Sequence, residues 1–275
     1  MKIPKKTGIA LFAYNRPSHL RRVLIALEDY NIKKVEIFVD GPKNKKDIIC
    51  QNEIMFMLKT NNKIKFKIHR SKKNKGLAKS IEFGMNYMAN KYLNFIVLED
   101  DCIPRKQFFN FIIKCIDVYK KRDDIQAICG YQLPELHIKK DKILKSILLR
   151  NFMSWGWATW SKKYKEYKKN RNKFKIKKSP IINTIEKLKI NKKNVWTLDL
   201  IKYCFLKKKY FIFPNKSQIK NIGFDGSGIN SNFTFKFNTY YTDSKKYEIL
   251  KDLSLDLTKS KIQDKIIKKR VKLFY

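Results

Sequence analysis

Along the N-terminal third of the chain, short apolar runs alternate with stretches of helical spacing, and each run ends on polar or turn-forming residues. Gly8 to Tyr14 is apolar throughout, long enough for a buried strand and too short for a helix. Asn15-Arg16-Pro17-Ser18 turns the chain. Pro17 suits a first helical turn, and Leu20, Val23, Leu24 and Leu27 recur with helical periodicity. The theme repeats in KVEIFVDGP, where Val35, Ile37 and Val39 alternate before Asp40-Gly41-Pro42 breaks the strand and a second helix runs through Ile48, Ile49, Met55 and Leu58. Ile64, Phe66 and Ile68 mark a third strand. A helix opened by Asn74 and Gly76 follows, with Leu77, Ile81, Met85 and Met88 as its apolar stripe, and FIVL at Phe95 to Leu98 is the fourth strand.

Strands alternating with helices predict right-handed βαβ units, hence an α/β fold with a mostly parallel, twisted sheet and helices on both faces. Such sheets bind ligands beyond the carboxyl ends of their strands. Those ends carry Tyr14-Asn15-Arg16, Asp40-Gly41 and Glu99-Asp100-Asp101, so three polar groups distant in sequence are expected to share one crevice. An amphipathic helix from about Gln107 to Lys121 and a strand in IQAICGYQ come next, and the pattern weakens from Pro134. The later half is more irregular. It includes LLRNFMSWGWATW, a lysine-rich helical stretch near Lys162 to Lys178, NVWTLDLIKYCF and NIGFDGSGIN. Thr258 to Tyr275 is basic with Ile262, Ile266, Val271 and Leu273 interspersed, the pattern of a surface helix.

With 275 residues and 43% hydrophobic content the chain can bury a full core. It has no apolar run of about 18 residues and no signal-peptide pattern at its N-terminus, so a cytoplasmic protein is expected. Five cysteines, without metal-type spacing, read as reduced core residues. The charge changes the picture more: 63 Lys plus Arg against 24 Asp plus Glu gives +39. Such a surface suits nucleic acid, an anionic membrane or a phosphorylated substrate, while the abundance of Lys, Asn and Ile is also what an AT-rich genome produces.

Against that charge, Glu99, Asp100 and Asp101 at the end of a buried strand require a partner, because adjacent carboxylates repel and raise one another's pKa. Mg²⁺ or Mn²⁺ fits, completing its shell with water and phosphate oxygens; a solvated acidic turn capping the next helix is the alternative. Arg16 and Lys79 suit phosphate oxygens, or are ordinary surface cations. Asp40 either recognises a base or ribose or simply forms a turn. Trp155 and Trp157, separated by Gly156, read as pocket wall or as core. Asp199, close after Trp196, is a candidate general base or a helix-surface acid. His19, His69 and His137 read as structural or surface residues, and Walker, GxGxxG and GxSxG motifs are absent.

Taken in order, FAYNRP, FVDGP, NKGLAKS, VLEDD, SWGWATW and IGFDGSG resemble the signature of GT-A (Rossmann-like) glycosyltransferases, from Gly8 to about Asn230. The likeness is to bacterial family-2-like sugar transferases and, more distantly, to the animal N-acetylglucosaminyltransferases that begin N-glycan branching. It implies a nucleotide-sugar-binding half at 1–132, an acceptor-binding half of the same domain at 133–250 and a basic tail at 251–275. It also implies inverting transfer of a hexosyl or N-acetylhexosaminyl group, from a UDP-linked donor to a bacterial surface glycan or lipid-linked acceptor at the anionic inner membrane surface. By resemblance Asp101 binds Mn²⁺ or Mg²⁺, while Ala13, Tyr14, Asn15, Arg16, Asp40, Asn74, Gly76, Lys79, Glu99 and Asp100 form the donor site. Trp155, Gly156, Trp157 and Trp196 flank sugar and acceptor. The family places its base just after a tryptophan equivalent to Trp196, but Thr197 stands there, leaving Asp199 or, alternatively, Asp225. A nucleotidyltransferase would need a glycine-rich, lysine-containing loop that FAYNRP is not. A basic nucleic-acid-binding protein and a catalytically inactive family member are the competing readings.

Overall fold

The computed structural model describes residues 3–137, 143–171, 173, 196–227, 233, 234, 237, 239 and 247–274. Gly228 to Asn230 of the glycine-bearing segment, most of the lysine-rich stretch after Asn170, and Tyr275 lie outside these residues.

The predicted alternation is present. Strand β1 (Thr7–Ala13) is buried along its whole length and leads into α1 (Pro17–Asp29), with Pro17 in the first turn. Strand β2 (Lys34–Val39) leads into α2 (Lys45–Thr60), β3 (Lys65–Arg70) into α3 (Leu77–Lys91), and β4 (Asn94–Glu99) ends in the three acids. Then come β5 (Cys102–Pro104), α4 (Phe108–Val118), β6 (Ile125–Cys129), β7 (Leu144–Leu149), β8 (Trp157–Trp160) and α5 (Ser161–Asn170). The chain continues with α6 (Trp196–Leu206), β9 (Tyr210–Pro214), β10 (Ile219–Asn221), β11 (Tyr247–Glu248) and α7 (Leu257–Phe274).

Among the described residues nine strands form one sheet in the order β11-β7-β9-β6-β8-β4-β1-β2-β3. Pairing is parallel from β3 through β2 and β1 to β4, and between β6 and β9. Strand β8 lies antiparallel between β4 and β6, and β7 is antiparallel to β9. One sheet thus runs through both halves of the chain.

Its order fixes where the helices sit. The chain steps outward from β1 to β2 to β3, then crosses back beyond β1 to β4, so right-handed crossovers put α1 and α2 on one face and α3 on the other. Helix α3 comes close to the sheet at Gly84, where a Cβ would stand 2.5 Å from the Phe12 ring. The rings of Phe12 and Phe38 stack beneath it at 5.1 Å. A separate antiparallel ribbon, β5 with β10, joins the residues after β4 to those before Gly223. This ribbon was invisible in the sequence pattern, because two strands of three residues each carry no usable periodicity. No described helix is long and apolar enough to cross a membrane.

Gly84→Val is expected to lower the unfolding free energy by about 1–3 kcal/mol through overpacking. A lower urea midpoint with an unchanged m-value is the signature to measure.

Candidate functional site

The carboxyl ends of β1, β2 and β4 meet at one edge of the sheet, and the residues there are tied to one another. Arg16, just past β1, donates through Nη2 to Asp100 and to Asp101, the latter at 2.9 Å. The Tyr14 amide adds a weaker bond to Asp100 at 3.4 Å. Asp100 is buried, whereas the Asp101 side chain is 15% exposed, and among the described residues its Oδ1 accepts the Cys102 thiol at 3.3 Å.

These charges shape one another's ionisation. Burial, then Asp101 and Asp100, push Glu99 up to about 8. Burial raises Asp100 to about 6 even though Arg16 works in the other direction. The Arg16 guanidinium loses solvation in the same place, yet its two carboxylate partners hold it fully charged. Arg16 is thus the counter-charge that the acidic cluster required. Its Nη2 is shared between Asp100 and Asp101. Asp100 is held by Arg16 and the Tyr14 amide.

Asp40 is tied into the adjoining loops. Its carboxylate accepts the amides of Gly41 at 2.8 Å, Lys75 at 2.9 Å and Gly76 at 2.8 Å, and its own amide donates to Ala13 O at 3.4 Å. Asn74 Nδ2 closes the same loop on Gly41 O at 2.7 Å. Asp40 therefore staples the loop before α3 to the end of β2, with Gly76 at φ +80° as the N-cap of α3. Lys79 stands exposed in the first turn of that helix.

One residue escaped the sequence reading. Asp47, buried in the first turn of α2, accepts from Tyr14 Oη at 2.6 Å, Asn15 Nδ2 at 2.7 Å and the Lys43 amide at 2.9 Å. Burial disfavours its charge, but these donors outweigh it and hold Asp47 below the usual carboxylate range. The available signal was Asn44, three residues earlier, whose side chain caps α2 by accepting the Asp47 amide at 2.9 Å.

The β5–β10 ribbon delivers a second loop to the cluster. The Ile222 amide donates to Asp101 O at 2.9 Å, and Gly223 lies so close that a Cβ would stand 2.1 Å from Asp101 Oδ2. Two residues on, Asp225 lies 3.1 Å from His19 Nε2, with its side chain 46% exposed. Burial opposes its ionisation, but the Ser227 hydroxyl and amide prevail, so Asp225 sits below the ordinary carboxylate range. His19 is buried on α1 and also faces Ile222 O at 3.3 Å, so it braces this loop.

The tryptophans divide. Trp155 packs edge-on against Phe224 at 5.1 Å and Tyr131 at 4.7 Å, beside the Gly223 loop. Gly156, at φ +65°, lets Ile219 and Phe108 approach. Trp157 is 2% exposed, against Phe95 and Phe152, and Trp196 packs on it at 5.8 Å. These two line a small pocket with Met85, Thr159 and Tyr164, and Trp157 itself is packed into the core. Alternation along β8 explains this: Trp157 and Thr159 share the face covered by α3, α5 and α6. Asp199, on α6, lies near Tyr167 of α5 and contributes to raising that phenol's pKa. The acid brought to the carboxylate loop is Asp225.

Among the described residues no three His, Cys, Asp or Glu side chains converge into a ready-made metal shell. The residues present do fit a hard divalent cation held by one carboxylate. Asp101 Oδ1 is free of strong donors, and Mg²⁺ or Mn²⁺ commonly takes its remaining ligands from water and phosphate.

No protein-family model matches the chain. No curated protein matches it either. Similar solved structures include the mannosyltransferase PcManGT from Pyrobaculum calidifontis, in complex with GDP-Man and Mn²⁺, at 10% identity and TM-score 0.41. That likeness covers 61% of this chain and 46% of the other, so the chain spans about half the length of that structure. Mouse xyloside xylosyltransferase 1 is similar at 10% identity and TM-score 0.39, over 74% of this chain and 84% of that one. A cytidylyltransferase from Leptospira borgpetersenii is similar at 8% identity and TM-score 0.34, over 60% and 64%. At these scores and identities the likenesses carry no functional argument.

The raised carboxyls give a pH dependence with a definite sign. The folded protein keeps a proton on Glu99 that the unfolded chain has released, so stability falls as pH rises from about 4.5 to about 8. Melting temperatures of metal-free protein across this range are expected to decline, and Glu99→Gln is expected to flatten the decline. An equal slope in the variant would place the titrating group elsewhere.

Proposed function

We propose that the protein is a metal-dependent GT-A glycosyltransferase that moves a hexosyl or N-acetylhexosaminyl group from a UDP-linked donor, with inversion, to a bacterial surface glycan or lipid-linked acceptor. One observation carries the reading: Asp101, partly exposed just past the end of β4 and paired with Arg16, lies directly beneath the loop that presents Asp225.

In this reading the crevice between the ends of β1 and β2 and the start of α3 takes the nucleotide. Asp40, Asn74 and Gly76 shape its wall through their loop bonds, and Asp47 sets the orientation of Tyr14 and Asn15. Lys79 offers a cation to the phosphates. Asp101 would hold Mn²⁺ or Mg²⁺, which neutralises a departing diphosphate. Asp225, ionised at neutral pH and reachable from solvent, takes the proton of an acceptor hydroxyl. That oxygen forms a bond to the anomeric carbon while the bond from this carbon to the phosphate oxygen breaks, its electron pair leaving with the nucleoside diphosphate. His19 keeps Asp225 aimed. Trp155, beside Phe224, supplies an apolar wall for a sugar ring.

The test is release of nucleoside diphosphate from a panel of nucleotide sugars with Mn²⁺ or Mg²⁺. Asp101→Ala is expected to abolish release. Asp225→Asn is expected to cut turnover by about 10²–10⁴-fold while leaving donor binding intact, and Asp199→Asn is expected to change little. Loss of turnover in the Asp199 variant with an active Asp225 variant would exchange the two roles. A native protein that neither binds nor consumes any donor would overturn the transferase reading.

A further inference from the structure

Two large apolar side chains on α2 face solvent. Ile49 is 71% exposed and Phe56 68%, and their separation of two helical turns places them on one face; neighbouring Ile48 is 44% exposed. The opposite face, with Asp47, Gln51, Ile54 and Leu58, is buried. The core therefore does not need the outer pair. The Arg21–Glu53 pair, 3.4 Å apart, links α1 to α2, and Ile25, one turn past Arg21, is 52% exposed.

The rim of this surface is cationic. Exposed Lys45 and Lys46 precede the apolar pair and exposed Lys59 follows it. Of the acids of the two helices, Asp47 is turned inward to Tyr14 and Asn15, Glu53 faces Arg21 and Glu28 faces Lys63 at 3.0 Å, while Asp29 is exposed at the far end of α1.

We propose that this α1–α2 face docks on the surface of an anionic lipid bilayer, with Ile49 and Phe56 entering the boundary below the headgroups and the flanking lysines bound to them. Charge complementarity selects this occupant. A second copy would bring the same lysines against these in a chain of +39, whereas an anionic leaflet attracts them and accepts the apolar pair. Charge alone selects no face, since lysines are spread over the whole chain. The coincidence of exposed isoleucine and phenylalanine with a lysine rim selects this one. Helix α2 starts where β2 ends, at the sheet edge that carries the carboxylate cluster, so docking here brings the crevice to the membrane. The inference rests on the proposed lipid-linked acceptor for its purpose, but not for its physics.

The experiment is co-sedimentation with phosphatidylcholine vesicles, with and without phosphatidylglycerol. Native protein is expected to bind only the vesicles with phosphatidylglycerol. Ile49→Glu/Phe56→Glu is expected to weaken binding by about tenfold or more. Lys45→Glu/Lys46→Glu, which leaves the apolar pair in place, is expected to weaken it in a salt-dependent way. Circular dichroism and nucleoside diphosphate release in free solution are expected to match the native protein in both variants. The proposal is overturned if the native protein ignores anionic vesicles, if both variants bind as the native protein does, or if Ile49→Glu/Phe56→Glu abolishes a dimer instead. Vesicle binding without donor consumption would sink the transferase reading and leave the docking surface standing.

Discussion

Three carboxyl groups in succession at the end of a buried strand are the constraint around which this molecule is arranged. They cannot all be ionised without a cation beside them. Arg16 supplies one, reaching from the end of β1 to both Asp100 and Asp101, and this is possible because β1 and β4 are parallel neighbours ending at the same level. Glu99 is left without such a partner among the described residues and retains its proton to about pH 8. The cluster therefore carries less negative charge than its composition suggests, and the Asp101 side chain stays partly open to solvent.

Around this cluster, buried carboxylates do mechanical work. Asp40 gathers three amides and holds the start of α3 against the end of β2, and Asp47 gathers Tyr14, Asn15 and the Lys43 amide. Each converts a loop at the sheet edge into a defined surface, because breaking it would leave a buried charge unpaired. The β5–β10 ribbon does the same from the other side, carrying Gly223 onto Asp101 and Asp225 to the rim. A proposed site of this kind is held in shape before any ligand arrives, which favours electrostatic stabilisation of a leaving group.

Legibility in the sequence followed burial and length. The βαβ series was readable because β1, β2 and β4 are buried and strictly bounded by turn residues, and because α1 and α3 carry clear stripes. Later strands such as β9 and the three-residue β5 and β10 were not, since an apolar run of four or five residues suits strand or buried helix equally. Trp155 and Trp157 looked alike in SWGWATW. The turn at Gly156, with φ +65°, separates them, leaving Trp155 ahead of β8 beside the Gly223 loop and Trp157 in the core.

From the sequence alone came the α/β class, the edge of the sheet where polar groups gather, and the need of Glu99-Asp100-Asp101 for positive charge. These depend on local periodicity and on composition at strand ends, which neighbouring residues carry within themselves. Tertiary structure alone decided which cation answers that need, that Asp40 and Asp47 face inward, and that the Gly223 loop, two residues before Asp225, closes on Asp101. Those outcomes depend on which distant segments the sheet order and the ribbon bring together, and on the desolvation that follows. The pairing of Arg16 with residues more than eighty positions away is a property of strands β1 and β4 lying side by side, and no local pattern encodes it.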